Sequence, residues 1–281
     1  MNSRDPETAT SGGEACRLRN EAMAHGFPVC LPRRVESLCR AHGALRGPTP
    51  RRALHAPSSA PRARSGAAQI WLQRQRRDPF VRRAQELGLR CRSGFKLAHM
   101  DEQLRWLQPG RAVLDLGAAP GAWSQEAARR VNATGVLLPG APRGFVLGLD
   151  LLPVEPLDGV SFLGGTDVRA ADTETKVRAL LPGGAAHVVL SDLAPRASGV
   201  RALDHEQSLV LCGAALALAI VILRPGGHFL CKLWDGASSE ELRGRLRATF
   251  REVRALKPPA SRRDSAEFYL AASGLRAPRR P

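Results

Sequence analysis

The chain has 281 residues, a formal charge of +16 and 43% apolar residues. That is long enough for one large domain or two small ones, with ample core, and so positive a chain favours polyanionic partners, nucleic acid first. Its six cysteines form no Cys-x-x-Cys and are joined by no histidine cluster, which argues against a disulfide framework and a zinc site.

Residues 1–66 are rich in Ala, Arg, Pro, Gly and Ser and carry no sustained apolar period, so little stable structure is expected there. Between residues 23 and 65 lie eight arginines and one acid, Glu36, the balance of a mitochondrial presequence. Asp5, Glu7, Glu14 and Glu21 make the first 22 residues fit that description less well. The expected organisation is a basic leader over 1–66, one folded domain over 67–275 and a short basic tail over 276–281.

The folded part opens on a basic helical stretch, 71–92, with Arg74, Arg76, Arg77, Arg82, Arg83, Arg90 and Arg92. Pro79 suits a first helical turn. The bland reading is a solvated face; the density of charge favours a phosphate-binding surface. A second helix is expected over 93–107, with Ser93 as its cap, an apolar stripe of Phe95, Leu97, Met100, Leu104 and Leu107, and Pro109-Gly110 as its stop.

Residues 113–125 read Val-Leu-Asp-Leu-Gly-Ala-Ala-Pro-Gly-Ala-Trp-Ser-Gln. An apolar strand interrupted by Asp115 runs into a glycine loop (Gly117, Pro120, Gly121) and then into a helix over 123–131. Strand, tight turn and helix form the frame of a nucleotide-type site, in which the helix amino terminus offers unpaired N–H groups. The spacing is Gly-x-x-x-Gly with an internal proline, so a dinucleotide fold is the weaker reading and an ordinary strand-to-helix turn the bland one. Further carboxylates recur at the same edge. Asp150 ends the second apolar run (144–149), where an acid suits ribose hydroxyls. Asp167 follows the third (160–163), and Asp192 ends the fourth (187–191).

Residues 132–143 are a Pro/Gly-rich insertion, and a helix is expected over 172–181. The run 209–223 is almost wholly apolar but short for a bilayer, and Pro225-Gly226-Gly227 and another strand follow at once. A helix buried against a sheet, with no membrane span, is the expectation. Strands over 228–231, 253–256 and 268–272 and a helix over 238–250 complete the pattern. Alternating strands and helices predict an α/β fold with helices on both faces of a mostly parallel sheet. The last two strands suit a hairpin that puts one antiparallel strand into it.

The chain has four lysines, Lys96, Lys176, Lys232 and Lys257, against a large excess of arginine. Arginine does not release its proton near neutrality, whereas lysine does when burial and like charge act on it. Lys232, at the end of the fifth strand, and Lys96, on the helix before the first, are therefore candidates for chemistry; Lys176 and Lys257 are expected to be solvated charges.

These residues resemble the FtsJ/RrmJ-type ribosomal RNA 2'-O-ribose methyltransferases, most closely the mitochondrial branch that modifies large-subunit rRNA. The matching segments are Arg-Ser-Gly-Phe-Lys-Leu (92–97), 115–125, Leu-Gly-Leu-Asp (147–150), Ser-Asp-Leu-Ala-Pro (191–195), Phe-Leu-Cys-Lys-Leu-Trp (229–234) and Ser-Ala-Glu-Phe-Tyr-Leu (265–270). The resemblance implies a seven-stranded Rossmann-like methyltransferase fold, S-adenosylmethionine as cofactor and no metal. It implies a mitochondrial-matrix enzyme whose partner is rRNA in a precursor of the large subunit. Its catalytic set falls on Lys96, Asp192, Lys232 and Glu267, with Lys232 as general base. Gly117, Pro120, Gly121, Ala122 and Trp123 would wrap the methionine part of the cofactor, with Asp150 at the ribose, Asp167 at the adenine and Asp192 beside them. Arg74, Arg76, Arg77, Arg82, Arg83 and Arg92 would grip RNA. Gly94, Leu193 and Arg196 depart from the family's usual residues, and Gly94 is expected to loosen its helix. A methyltransferase acting on another acceptor and an RNA-binding assembly factor are the rival readings.

Overall fold

Seven apolar runs become seven strands of one sheet in the computed structural model, which describes residues 77–277 except 197, 237–238 and 263–264. The strand order is β3-β2-β1-β4-β5-β7-β6. β1 (Ala112–Leu116) lies centrally and parallel to β2 (Phe145–Leu149) and β4 (Ala186–Ser191); β3 (Val160–Leu163) continues one side in parallel. On the other side come β5 (Leu223–Trp234), then β7 (Glu267–Leu275), antiparallel to both β5 and β6 (Phe250–Leu256). The expected hairpin is thus present, and β7 is the antiparallel strand. Every residue of β1 is buried, as an interior strand covered on both faces must be.

The helices divide between the faces. Against one face lie α2 (Gly94–Leu104) and α3 (Ala122–Arg130), where Leu97, Met100 and Trp123 meet Val113, Val188, Leu190 and Tyr269, while α1 (Pro79–Glu86) packs on α2 through Phe80 with Phe95 and His99. Against the other lie α4 (Thr173–Leu180), α5 (Arg201–Ile222) and α6 (Ser239–Thr249), where Val177, Cys212, Leu216 and Leu246 meet Leu114, Leu147, Phe229 and Leu270. α5 is long and apolar enough to cross a membrane by length and composition. In this fold it packs on the sheet through Cys212, Ala215, Leu216, Ala219 and Ile222.

Several elements differ from their sequence expectation for identifiable reasons. α1 stops at Glu86 because Gly88 turns the chain at φ +65°, so the basic stretch is not one helix to residue 92. Pro79 does occupy its first turn, and Asp78 caps it by accepting from Phe80 N at 3.0 Å. α2 ends at Leu104, not at Pro109-Gly110. Asp101 Oδ1 captures the N–H groups of Trp106 (2.8 Å) and Leu107 (3.0 Å), while Arg105 takes a left-handed conformation. Ser93 precedes α2 but makes no side-chain cap; its Oγ lies 2.9 Å from Cys91 Sγ instead. Gly94, expected to loosen α2, allows close packing: a Cβ there would sit 3.3 Å from the Ala122 carbonyl oxygen. β5 starts earlier than residue 228 because 224–227 bulge out of the ladder between Leu223 and His228.

Asp101 also joins two helices, since its Oδ2 accepts from Arg130 Nη1 at 2.9 Å, with both side chains largely buried. Its loss leaves two backbone donors and a guanidinium short of an acceptor. Asp101→Ala is expected to destabilise the fold by about 3–5 kcal/mol in urea unfolding.

Candidate active site

The loop after β1 is built by close approach. The N–H groups of Gly117 and Ala118 both donate to the Leu149 carbonyl, at 2.9 and 3.1 Å, which folds the loop over the end of β2. Gly117 has φ +81°, and a Cβ on it would lie 3.0 Å from Leu193 N. Gly121 stands at the amino terminus of α3 with φ +110°, and a Cβ there would meet Arg90 Nη1 at 2.6 Å. Neither position accepts a side chain without strain.

Asp150 stabilises the same loop. Its Oδ2 accepts from Ala119 N and its Oδ1 from Leu152 N, each at 2.8 Å. Beside it opens a cavity of about 380 Å³ whose lining includes Gly117, Ala119, Asp150, Asp167, Asp192 and Leu193. Four expected cofactor residues, Gly117, Asp150, Asp167 and Asp192, therefore share one cavity. Pro120, Gly121, Ala122 and Trp123 are not among its walls. Ala122 and Trp123 are buried behind the loop, and Trp123 Nε1 donates to the Ser93 carbonyl at 2.9 Å. Asp167 is engaged by Arg169, whose Nη2 reaches its Oδ2 at 2.7 Å, and this contact holds the carboxyl below its ordinary range. Arg169 also lines the cavity.

The second half of the site comes from β5, β7 and α2. In the β5–β7 ladder Lys232 is paired with Tyr269 and Trp234 with Glu267. Opposed residues and those two apart share a face, so Lys232, Glu267 and Tyr269 emerge on the side covered by α2. Lys232 Nζ donates to Asp192 Oδ1 at 2.9 Å and to the Asp192 carbonyl at 2.7 Å. Lys96, from the first turn of α2, is in direct contact with Glu267 Oε1, which also accepts from Ser261 Oγ at 2.8 Å. All four side chains of the predicted catalytic set are thus brought together as two amine–carboxylate pairs. Tyr269 lies between them: its hydroxyl donates to Asp192 Oδ1 at 3.1 Å, and Lys96 Nζ stands 6.0 Å from its ring centroid. Burial, then the nearby Asp192 and Glu267 charges, push that hydroxyl well above its ordinary range. Burial works to raise the Glu267 carboxyl, but Lys96, Ser261 and Lys232 outweigh it and leave it lowered.

Two participants were given no role at the site from the sequence. Tyr269 is the sole tyrosine of the chain, and its spacing of two from Glu267 was the available signal. Asp115 is fully buried in β1. Its Oδ2 accepts from Ser124 Oγ at 2.6 Å and its Oδ1 has no partner. Burial, with Asp192 and Asp150 nearby, raises its carboxyl to about 7 despite the Ser124 hydrogen bond. A carboxyl inside an otherwise apolar strand was its signal.

The arginines separate into two groups. Arg77, Arg82 and Arg83 are exposed. Arg92 does not join them: its Nη1 meets Asp78 Oδ2 at 2.5 Å, its Nη2 contacts the Ala260 carbonyl, and its guanidinium lies over Phe80. Arg74 and Arg76 lie outside the described residues.

A glycine loop over a cavity at the carboxyl edge of a mostly parallel sheet, next to paired amines and carboxylates, is the frame of a group-transfer enzyme that takes a nucleoside-containing donor. The FtsJ-like methyltransferase family matches residues 89–275, and the chain belongs to that family. Over 216 residues it is 44% identical to ribosomal RNA large subunit methyltransferase E of Roseobacter denitrificans, covering 77% of this chain and 89% of that protein. Over 215 residues it is 39% identical to the mitochondrial rRNA methyltransferase 2 of Drosophila melanogaster, covering 76% and 86%. A crystal structure of a Plasmodium falciparum protein described as a ribosomal RNA methyltransferase superposes with a TM-score of 0.58. It shares 22% identity, covers 67% of this chain and all of that one, and supports the fold.

The Asp115 carboxyl has a consequence for stability. Between about pH 4 and 7 the native state keeps a proton that the unfolded chain has released. The contribution of this group is therefore full below the ordinary carboxylate range and is lost as the pH rises toward 7. The melting temperature of the ligand-free protein, measured relative to that of Asp115→Asn, should fall between pH 5 and 7.5; parallel curves would remove Asp115 as its source.

Proposed function

We infer that this chain transfers a methyl group from S-adenosylmethionine to a ribose 2'-hydroxyl of mitochondrial large-subunit rRNA. The observation that carries the reading is Asp192. It lines the cavity beside the glycine loop and at the same time holds Lys232 and Tyr269, so a donor in that cavity and an acceptor at the amine share one carboxylate. The rRNA methyltransferases among the relatives, one of them mitochondrial, support the substrate class, and the arginine-rich leader expected over 1–66 supports the compartment.

The residues fit the cofactor. Gly117 leaves room where a Cβ would strike Leu193, and the buried Asp115 carboxyl behind the loop, with one oxygen unpartnered, would give up its proton more readily with a cationic donor bound nearby. Asp150, already fixed by two backbone donors, keeps lone pairs for ribose hydroxyls, and Asp167 would accept from the adenine amino group once Arg169 yields. S-adenosylmethionine, when bound, supplies an electrophilic methyl on a sulfonium, a positive charge that disfavours a second one on a neighbouring amine.

Lys232 would then take the proton of the 2'-hydroxyl as that oxygen attacks. Asp192 aims the amine through two contacts from one residue. Glu267, fixed by Ser261, holds Lys96 on the other side of Tyr269, so that both amines stay in register with the acceptor. Alignment of acceptor and donor supplies much of the rate. Arg77, Arg82 and Arg83 would bind RNA phosphates from α1 and its approach, and the acceptor would be a loop or splayed nucleotide, since a nucleotide inside a duplex is poorly placed for such attack.

Mapping of ribose methylation across mitochondrial rRNA, with and without this protein, should show one or a few sites lost in its absence. Lys232→Ala is expected to abolish methyl transfer while cofactor affinity, measured by calorimetry, stays within a few fold; normal turnover by that variant would remove Lys232 as the base. Charge reversal at Arg82 should weaken RNA binding and flatten its salt dependence in the same preparation.

A further inference from the structure

Past Glu267, at the same edge of the sheet, a second cavity of about 710 Å³ opens between α6 and the turn joining β6 to β7. Its charged walls are Arg201 at the start of α5, Arg243 of α6, Lys257 just after β6, Asp235 and Glu267. Three cations thus face two carboxylates, and Glu267 is already paired with Lys96.

Two of these cations are poorly satisfied for a purely structural role. The Arg243 guanidinium lies 5.4 Å from the ring centroid of Phe268, which also lines the cavity. Its Nε is buried without a partner, and its Nη1 is 3.8 Å from Glu240, too far for a good hydrogen bond. Lys257 Nζ donates to the Ser265 carbonyl at 3.0 Å, one acceptor for three donors. Arg201 is exposed at the mouth. A planar cation backed by an aromatic ring is a stacking surface for a nucleobase, and flexible cations at the rim suit a phosphodiester. A free mononucleotide would satisfy the same groups. The shared wall favours a polymer: Glu267 lines this cavity and also belongs to the amine–carboxylate set, so a strand crossing the one site reaches the other.

We propose that this cavity is a second RNA subsite, which takes a nucleotide flanking the methyl acceptor in the same strand. Arg201 and Lys257 bind its phosphate, and the Arg243–Phe268 pair supports its base. The proposal rests on the reading of the main site as one that acts on RNA, and its cations are other than the exposed arginines of α1.

The test is fluorescence anisotropy of a fluorescein-labelled single-stranded RNA of about 12 nucleotides with the full chain. R201E/K257E is expected to bind about tenfold more weakly, with a salt dependence shallower by about 0.7 in the log–log slope, the value for one lost phosphate contact on a single strand. R243K, which keeps the charge and removes the planar face, is expected to lose about fivefold. R245E/R251E reverses the same charge outside the cavity and is expected to stay within about threefold. Unchanged S-adenosylmethionine affinity in each variant reports an intact fold. The subsite is overturned if R201E/K257E binds RNA as the wild type does, or if R245E/R251E loses as much. It is also overturned if AMP competes for R201- and K257-dependent binding as strongly as the oligonucleotide, which would make the cavity a mononucleotide site. Failure of the wild type to bind RNA or to methylate rRNA would overturn the reading of the main site and this proposal together; wild-type activity with an unaltered R201E/K257E overturns the subsite alone.

Discussion

Two amine–carboxylate pairs, Lys232 with Asp192 and Lys96 with Glu267, meet around one buried tyrosine at the edge of the sheet. Such pairs are poor sources of stability. Removing four charged groups from water costs several kcal/mol each, and their mutual attraction seldom returns more than that. Their cost makes sense where the charges are used. Asp192 alone touches both halves of the site, because its backbone N–H is tied to the Leu116 carbonyl at the end of β1 while its side chain reaches across to β5 and β7. The geometry of the whole edge depends on that one residue sitting where three strands converge.

The half of the site around the glycine loop and its cavity is governed by a different constraint, the closeness of backbone to backbone. Gly117 nearly touches Leu193, and the β1 loop is drawn down on Leu149 and held by Asp150. A site made this way is stiff before any ligand arrives, which lowers the ordering cost of binding. Arg90 extends the same logic outward: it donates to the carbonyls of Pro120, Glu155 and Pro156 and so ties the loop after β1 to the loop after β2. Beneath the loop, Asp115 keeps a buried carboxyl with an unpartnered oxygen, a feature that costs stability.

Much of this was legible in the residues. Continuous apolar runs of strand length, glycines in the first loop and acids at strand ends gave the parallel sheet and the edge that carries the site. The scarcity of lysine drew attention to four residues, and position at a strand end and on the helix before β1 marked Lys232 and Lys96 among them; Lys176 and Lys257 are exposed. Element ends were less legible. Asp101 closes α2 by side-chain hydrogen bonds to residues five and six ahead, and no periodicity announces that.

The sequence by itself determined the strand–helix alternation, the tight loop and the candidate amines, since these follow from local sterics, hydrophobic period and residue chemistry. Only the tertiary structure decided partnership. The register that sets Lys232 opposite Tyr269 and the packing that delivers Lys96 to Glu267 join residues far apart in the chain, and Arg92, grouped by charge with its exposed neighbours, is committed to Asp78 and Ala260. Long-range contacts depend on how faces pack together, and a charge has no fixed role until its neighbours, and its distance from water, are fixed.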